Sequence, residues 1–327
     1  MSNVPMDYIA SLASARSKFA LYFSIPICFV CILSECFSLS VFLSLKTFRQ
    51  NSASAYLMFT TLFNLIRLLF ATSFICISMA FSMNFTSISF LYCRIRGFLV
   101  ATCNISALLC LSLAVIDQYL ATCFRPQWRQ YSNIRVARRA IIIITLVSVC
   151  HGLLYFIYFN QLSSINPSVC MATNSIFYQY HVYGLSIVYG NLFPLIAVIF
   201  GFLAYRNARS LLTRTNPIIR RELDKQLTSM VLLEIGIYAC TYTPYSIINA
   251  ISALNTNREP VYLAQLSLIN AIALSISFLS NGNSFYTYNF ASKRFRRQTK
   301  YVFYDVFMNK CRRNRIIPIN IENPVEI

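Results

Sequence analysis

The sequence predicts an all-α membrane protein, a seven-transmembrane helix bundle followed by a cytoplasmic amphipathic helix. Of its 327 residues, 57% are apolar and only 12% are charged, which is about half the charged fraction of a soluble domain. The apolar residues gather in seven long runs. The net charge of +18 lies in short clusters between those runs, a pattern typical of basic cytoplasmic loops facing lipid rather than of a nucleic-acid-binding protein.

Seven runs are long enough to cross a bilayer, which takes roughly 20 apolar residues in a helix. Backbone polar groups inside lipid must be paired within their own segment, so the runs must be helices. They cover residues 19–45, 54–81, 91–122, 137–160, 178–205, 227–253 and 261–289. We therefore expect a short extracellular N-terminus (1–18), a seven-transmembrane domain (19–289), and an amphipathic helix with a basic cytoplasmic tail (290–327).

The distribution of basic residues predicts the orientation in the membrane. The first, third and fifth connections and the tail hold two, five, six and nine Lys and Arg residues, 22 of the 28 in the chain. The centres of the second and fourth connections, 82–90 and 161–177, hold none. Because basic loops stay in the cytoplasm, we expect an extracellular N-terminus and a location in the plasma membrane. The sequon at Asn84 then lies outside and is a predicted glycosylation site.

The segment after the seventh run predicts a helix lying in the membrane interface. Phe295, Val302, Phe303 and Phe307 can share one helical face, with basic residues opposite, and such a helix contacts lipid through its apolar face. Cys311 follows and is a predicted palmitoylation site, with a plain free cysteine as the alternative.

Several residues are spaced as in one receptor family. They are Cys93 at the start of the third run, Asp117, Gln118 and Tyr119 at its end, Cys170 in the fourth connection, Pro194 in the fifth run, Tyr238 and Pro244 in the sixth, and Tyr288 seven residues before Phe295. Gln118 follows Cys93 by 25 residues. With these motifs, the chain from about residue 20 to 305 resembles the rhodopsin-like (class A) G-protein-coupled receptors.

The resemblance implies a disulfide between Cys93 and Cys170, which the oxidising outer side permits. It also implies that Pro244 kinks the sixth helix. The chain departs from the family at Gln118, which replaces the arginine of an Asp-Arg-Tyr motif. Asp224 stands where the family places the acid that pairs with that arginine. A glutamine forms only neutral hydrogen bonds there, about half as strong as charge-assisted ones, so we expect a weaker inactive-state contact.

The resemblance also implies a ligand pocket among the third, fifth, sixth and seventh helices. The expected lining residues are Arg96, Val100, Asn104, Tyr242, Tyr245 and Gln265. Val100 replaces the acid that aminergic receptors need, and the seventh run lacks the lysine of opsins, so both ligand classes are disfavoured. Arg94, Arg96 and Arg258 outnumber Glu259 at the outer mouth, which suits an anionic or peptide ligand. Alternatively, Arg94 and Arg96 only reach toward the interface.

Two charged residues at membrane depth predict a buried ion pair. Glu35 lies in the middle of the first run and Arg67 in the middle third of the second. An unpaired charge there costs at least roughly 2.5–3.5 kcal/mol. Counted from the short loop that joins the two helices, the depths of Glu35 and Arg67 differ by only about 6 Å at 1.5 Å per residue. Separate partners, or water in a cavity, are the alternative.

These observations predict a receptor that binds an extracellular ligand, with a peptide as one candidate, and signals to a heterotrimeric G protein. The alternatives are a seven-helix transporter or channel, and a receptor-like decoy that no longer couples. An enzyme is not expected, because no nucleophile–base pair is placed in a pocket. No cofactor or metal is expected either. Cys28 and Cys31 lack a second ligand pair, and Asn64 and Ser284 depart from the sodium pocket of the family.

Overall fold

The computed structural model describes residues 6–44, 50–83, 89–161, 170–210, 218–255 and 259–304, with the backbone only at 185, 208–210 and 218–225. Within these ranges, seven helices are long and apolar enough to cross a membrane. They are α1 (Met6–Ser44), α2 (Ser52–Phe81), α3 (Phe90–Thr122), α4 (Ile134–Tyr158), α5 (Ser175–Asn207), α6 (Gln226–Leu254) and α7 (Pro260–Asn281). The predicted all-α seven-helix bundle is confirmed.

Shorter elements complete the fold. Two further helices, α8 (Ser284–Ala291) and α9 (Lys293–Tyr301), follow α7, and α6 is the larger part of a helix over Ile218–Leu254. A helical turn over Pro126–Arg129 joins α3 to α4. Strands β1 (Phe159–Gln161) and β2 (Cys170–Ala172) form an antiparallel hairpin between α4 and α5, in which Asn160 pairs with Met171.

Two helix ends differ from the ends of the predicted apolar runs. Helix α1 begins at Met6, so the helix extends over residues 6–18 ahead of the first predicted run. This extension packs against α7, where Gln265 Nε2 donates a hydrogen bond to the Tyr8 hydroxyl at 3.4 Å. The fourth predicted run extends to residue 160, whereas α4 ends at Tyr158 and the chain continues as β1.

Polar residues at the helix starts explain where several helices begin. In each case a side-chain oxygen accepts a hydrogen bond from a backbone N–H of the first turn, which has no partner inside the helix. These capping residues are Asn51 before α2, Ser89 before α3, Asn133 before α4, Asn174 before α5 and Ser292 before α9.

Three of the spanning helices contain a π-helical segment. These segments are Ala20–Ser24 in α1, Leu68–Thr72 in α2 and Gly184–Leu192 in α5. The last one ends two residues before Pro194. Proline has no N–H to donate and its ring clashes with the preceding turn, so a widened turn before Pro194 is the local adjustment expected of α5.

The inner ends of the helices enclose the largest apolar core. Helix α3 is the most enclosed of the seven. Phe295 of α9 is fully buried in this core and meets the rings of Phe42 and Tyr288 at 5.6 and 5.5 Å between centroids. Val302 is also buried, whereas Phe303 remains 47% exposed, so Phe303 does not share their buried face. Phe307 lies outside the described residues.

Helices α1 and α7 approach each other closely where α7 ends. A Cβ added at Gly282 would overlap the Cβ and Sγ atoms of Cys31 and lie 2.7 Å from its Cα. Just beyond, the backbone N–H groups at the start of α8 donate to α1: Ser284 N to Glu35 Oε1 at 3.3 Å, and Phe285 N to Ser34 Oγ at 3.2 Å. Helix α1 therefore caps the segment that follows the break after α7.

Candidate functional site

A disulfide and an arginine fix the β1–β2 hairpin to the outer end of α3. Cys93 is bonded to Cys170 of β2, with their Cα atoms 5.8 Å apart. The Arg94 guanidinium donates two hydrogen bonds to Asn160 Oδ1, at 2.8 and 3.1 Å, and lies over the Phe90 ring at 4.0 Å. The cysteine pair implied by the resemblance is therefore present, and Arg94 is occupied by the hairpin.

Arg67 occupies the middle of the bundle. Its side chain is 8% exposed, and its Nη1 donates to Oδ1 of Asn104 on α3 at 2.6 Å and to Oδ1 of Asn281 on α7 at 2.9 Å. One guanidinium group thus joins three helices. Both acceptors are neutral amides, and no carboxylate of the described side chains forms a salt bridge with Arg67.

Tyrosines of α6 extend this polar centre. The Asn104 amide also faces the hydroxyl of Tyr242, which is almost fully buried. The Tyr242 ring stacks on Tyr238 at 5.0 Å and meets the edge of Tyr245 at 5.8 Å. We call Arg67, Asn104, Asn281 and Tyr242 the central polar cluster.

Arg96 lies on the outer side of the central polar cluster. It shares one face of α3 with Val100 and Asn104, because the three are spaced four residues apart. Its Nε is enclosed and has no hydrogen-bond partner. Tyr245 is close enough to interact electrostatically with both Arg96 and Arg67.

The predicted ion pair between Glu35 and Arg67 is wrong. Glu35 Oε1 accepts from the backbone of Ser284, and Oε2 has no hydrogen-bond partner. Arg67 instead faces α3 and α7. Residue counting places Glu35 and Arg67 at similar depths in the membrane. Their side chains nevertheless point toward different neighbouring helices.

A second buried acid lies on the other side of α8. Glu234 of α6 is 2% exposed. Its Oε2 accepts a short hydrogen bond from the Tyr288 hydroxyl, and its Oε1 accepts from Ser284 Oγ at 3.4 Å. Ser284 therefore stands between two carboxyl groups, Glu35 from α1 and Glu234 from α6. Together they hold the start of α8 on both sides.

The Asp117-Gln118-Tyr119 segment at the inner end of α3 contacts three other helices. Asp117 Oδ2 accepts from Ser52 Oγ of α2 at 2.8 Å. Gln118 Oε1 accepts from Thr228 Oγ1 of α6 at 3.0 Å. The Tyr119 ring meets the Phe200 ring of α5 edge-on. The contact between Gln118 and α6 is thus uncharged. The side chain of Asp224 lies outside the described part of the chain.

A cavity of ≈ 310 Å³ opens beside these residues at the same end of the bundle. Its lining is mostly polar. The lining residues are Gln50, Asn51, Ser52, Asp117, Gln118, Ala121, Arg129, Ser132, Asn133 and Ile134. Its lining residues come from α2, α3, the turn after α3 and the start of α4.

Comparison with known proteins identifies the family. The family model for seven-transmembrane receptors of the rhodopsin family matches residues 36–280, which is 245 of the 327 residues. The chain belongs to this family. No curated protein matches the chain. The protein is therefore a multi-pass membrane receptor, of a family that is typically non-enzymatic and generally has an extracellular ligand and a G protein as partners.

The remaining predicted residues of the receptor lie in three places. Tyr238 is buried, and its hydroxyl donates to the Tyr189 carbonyl of α5 at 3.2 Å. Pro244, six residues further along, lies inside the continuous helix α6. Gln265 is exposed and lines a separate cavity of ≈ 240 Å³ between α6 and α7, away from the other predicted pocket residues. Asn84 and Cys311 lie outside the described residues.

Sequence reasoning missed the residues that complete these contacts. Asn281 binds Arg67, Thr228 binds Gln118, and Ser52 binds Asp117. All three are small or neutral polar residues in apolar surroundings, and the sequence contains many of these. A usable signal existed for Glu234, because a carboxyl group within a spanning helix requires a donor from its own bundle. The tyrosine that meets it, Tyr288, was already a candidate.

Proposed function

We propose that this receptor lies in the plasma membrane with its N-terminus outside. It binds an extracellular ligand, a peptide or a small molecule, among the outer halves of α3, α5, α6 and α7, and it signals to a heterotrimeric G protein at the inner ends. The clustering of basic residues in alternate connections supports the orientation. The disulfide supports it as well, because Cys93 and Cys170 then face the oxidising side.

The observation that carries this proposal is the set of hydrogen bonds around the inner half of α6. Thr228 binds Gln118 of α3, Glu234 binds Tyr288 of α8, and Gln226 accepts from Ser292 at 2.8 Å. A receptor that switches between two arrangements needs contacts that form in one and break in the other. None of these three contacts is an ion pair, so a modest difference in ligand affinity can shift the balance.

The test removes the contact between α3 and α6. Thr228→Val deletes the hydroxyl that reaches Gln118 and keeps the side-chain size. A neutral hydrogen bond contributes about 1 kcal/mol, so the proportion of active receptor should rise about fivefold. We would measure ligand-independent nucleotide exchange on purified G proteins of each class.

The matched control is Thr241→Val on the same helix. The Thr241 hydroxyl donates only to the Ile237 carbonyl of its own helix, at 2.8 Å. Its loss leaves the contacts of α6 with α3 and α8 intact. Equal basal exchange for the wild-type receptor and both variants would reject the inner half of α6 as the switching element.

Gln118 favours a second candidate, a receptor-like decoy that binds ligand without coupling. In the family the residue at this position is an arginine that contacts the G protein, and here the group is uncharged. Recruitment of G protein by wild type and by Gln118→Arg separates the two functions. Recruitment by wild type supports signalling, whereas recruitment by Gln118→Arg alone supports the decoy.

A further inference from the structure

Charge in the outer half of the bundle is unbalanced. Among the described side chains, two buried acids in the middle of the bundle, Glu35 and Glu234, bind Ser284 of α8, and the third, Asp117, binds Ser52 at the inner end. The arginine nearest to them, Arg67, binds Asn281, which lies three residues before Ser284 and therefore about one turn further out along the chain. Glu35 and Glu234 are thus held on the inner side of Arg67. They do not neutralise the positive charges in the outer half of the bundle.

The contacts of Arg96 show this imbalance most clearly when they are compared with those of Arg94, two residues away. Arg94 is satisfied by Asn160 and by the Phe90 ring. Arg96 makes no hydrogen bond with the described part of the chain, and its Nε is enclosed. Arginine presents five donors in a rigid fork that matches carboxylate and phosphate oxygens. A guanidinium whose Nε is enclosed and unpaired and whose other donors are unused is therefore suited to an anionic group.

Arg67 adds to the same field from deeper in the bundle. Its Nη1 is held by two amide oxygens, which orient the guanidinium but do not neutralise it. Arg96 and Asn104 are eight residues apart on α3, so Arg96 lies about 12 Å further out than the Asn104 partner of Arg67. Tyr245 is within electrostatic range of both guanidinium groups. A small molecule entering from outside therefore reaches Arg96 before it reaches the depth of Asn104.

We infer that the ligand of this receptor is an organic anion whose carboxylate or phosphate group binds Arg96 beside Tyr245, with Arg67 providing further attraction from below. The aromatic ring of Tyr245 contacts the body of the ligand. This inference rests on the proposed ligand site, and it specifies the chemical class of the ligand. Burying like charges without a counter-charge is unfavourable, and an anion at this position offsets that cost.

The test measures binding of simple anions to the full-length receptor in nanodiscs of uncharged phosphatidylcholine, at constant ionic strength. The probes are benzoate, phenyl phosphate and the neutral isostere benzamide, and the readout is the rise in unfolding temperature with probe concentration. We expect both anions to stabilise the wild-type receptor and benzamide to have no effect. The anion that produces the larger rise in unfolding temperature shows whether the site prefers a carboxylate or a phosphate group.

Two substitutions locate the effect. Arg96→Gln should require an anion concentration at least about tenfold higher for the same rise, because a hydrogen bond to a charged group is lost. Arg96→Lys should recover part of the binding, since it keeps the charge. Arg94→Gln removes a guanidinium that the hairpin already engages. The rise in unfolding temperature with anion concentration should therefore be the same in Arg94→Gln as in the wild-type receptor.

Three results would overturn the inference: stabilisation by benzamide equal to that by benzoate, no stabilisation by either anion, or equal losses in Arg94→Gln and Arg96→Gln. The assay contains no G protein. Failure here therefore leaves the nucleotide-exchange result intact, and failure of nucleotide exchange leaves anion binding intact.

Discussion

The hydrogen bond between Tyr288 and Glu234 should be a main stabilising contact of the inner bundle. Tyr288→Phe removes one oxygen and no ring atoms, so the packing of its ring against Phe42 and Phe295 is retained. The substitution leaves Oε2 of the buried Glu234 without its hydrogen-bond donor. Leaving a buried acceptor without its donor costs about 1–3 kcal/mol. At about 2 °C per kcal/mol for a chain of this length, the unfolding temperature should fall by about 2–6 °C.

Thermal unfolding of the purified receptor, followed by tryptophan or thiol-reactive fluorescence, measures this change. Glu234→Gln should lose less stability than Tyr288→Phe, because the amide oxygen still accepts a weaker, neutral hydrogen bond. The double variant should show a smaller loss than the sum of the two single losses. The control is Tyr286→Phe, whose ring is 55% exposed two residues away. Equal unfolding temperatures for the Tyr286 and Tyr288 variants would refute the reasoning.

Two further predictions concern the outer end and the contact between the first and last spanning helices. Cys93→Ser should reduce surface expression or ligand binding, because the hairpin loses its link to α3; alkylation of both Cys93 and Cys170 in the intact protein would contradict this. Gly282→Ala should lower stability by about 1–3 kcal/mol because the added methyl overlaps Cys31. By contrast, Gly236→Ala meets no atom within 4 Å and should stabilise α6 by about 0.5–1 kcal/mol; similar effects at both glycines would contradict the close packing.

Apolar length predicted the seven spans, because lipid leaves the backbone no alternative to a helix. It could not predict where α1 begins. Residues 6–18 include Asp7, Arg16 and Lys18, which look like the polar end of a span. They remain helical, and the packing of this segment on α7 depends on a residue as distant in sequence as Gln265. The hairpin after α4 was missed for a related reason, since its two strands of three residues carry no signal stronger than the apolar run beside them.

Depth alone could not predict which buried charges meet. Counting residues from a loop places Glu35 and Arg67 at similar heights, but the rotation of each helix about its axis decides the partner. Arg67 points to Asn104 and Asn281, and Glu35 points to the start of α8. Rotation follows from the packing of all seven helices together, which no local pattern contains. For the same reason, the sequence could not predict that Thr228 lies opposite Gln118.

The contacts between α1 and the end of the bundle have a consequence for biosynthesis. Ser24 meets Ser275, and Ser34 and Glu35 meet the backbone just beyond Gly282. The partners are separated by about 250 positions, so the helix that leaves the ribosome first contains polar groups whose partners lie in α7 and α8, which are made near the end of synthesis. Each unsatisfied group within lipid costs several kcal/mol. A nascent chain that stops before α7 therefore exposes an incomplete first helix, which cellular quality control can recognise and remove.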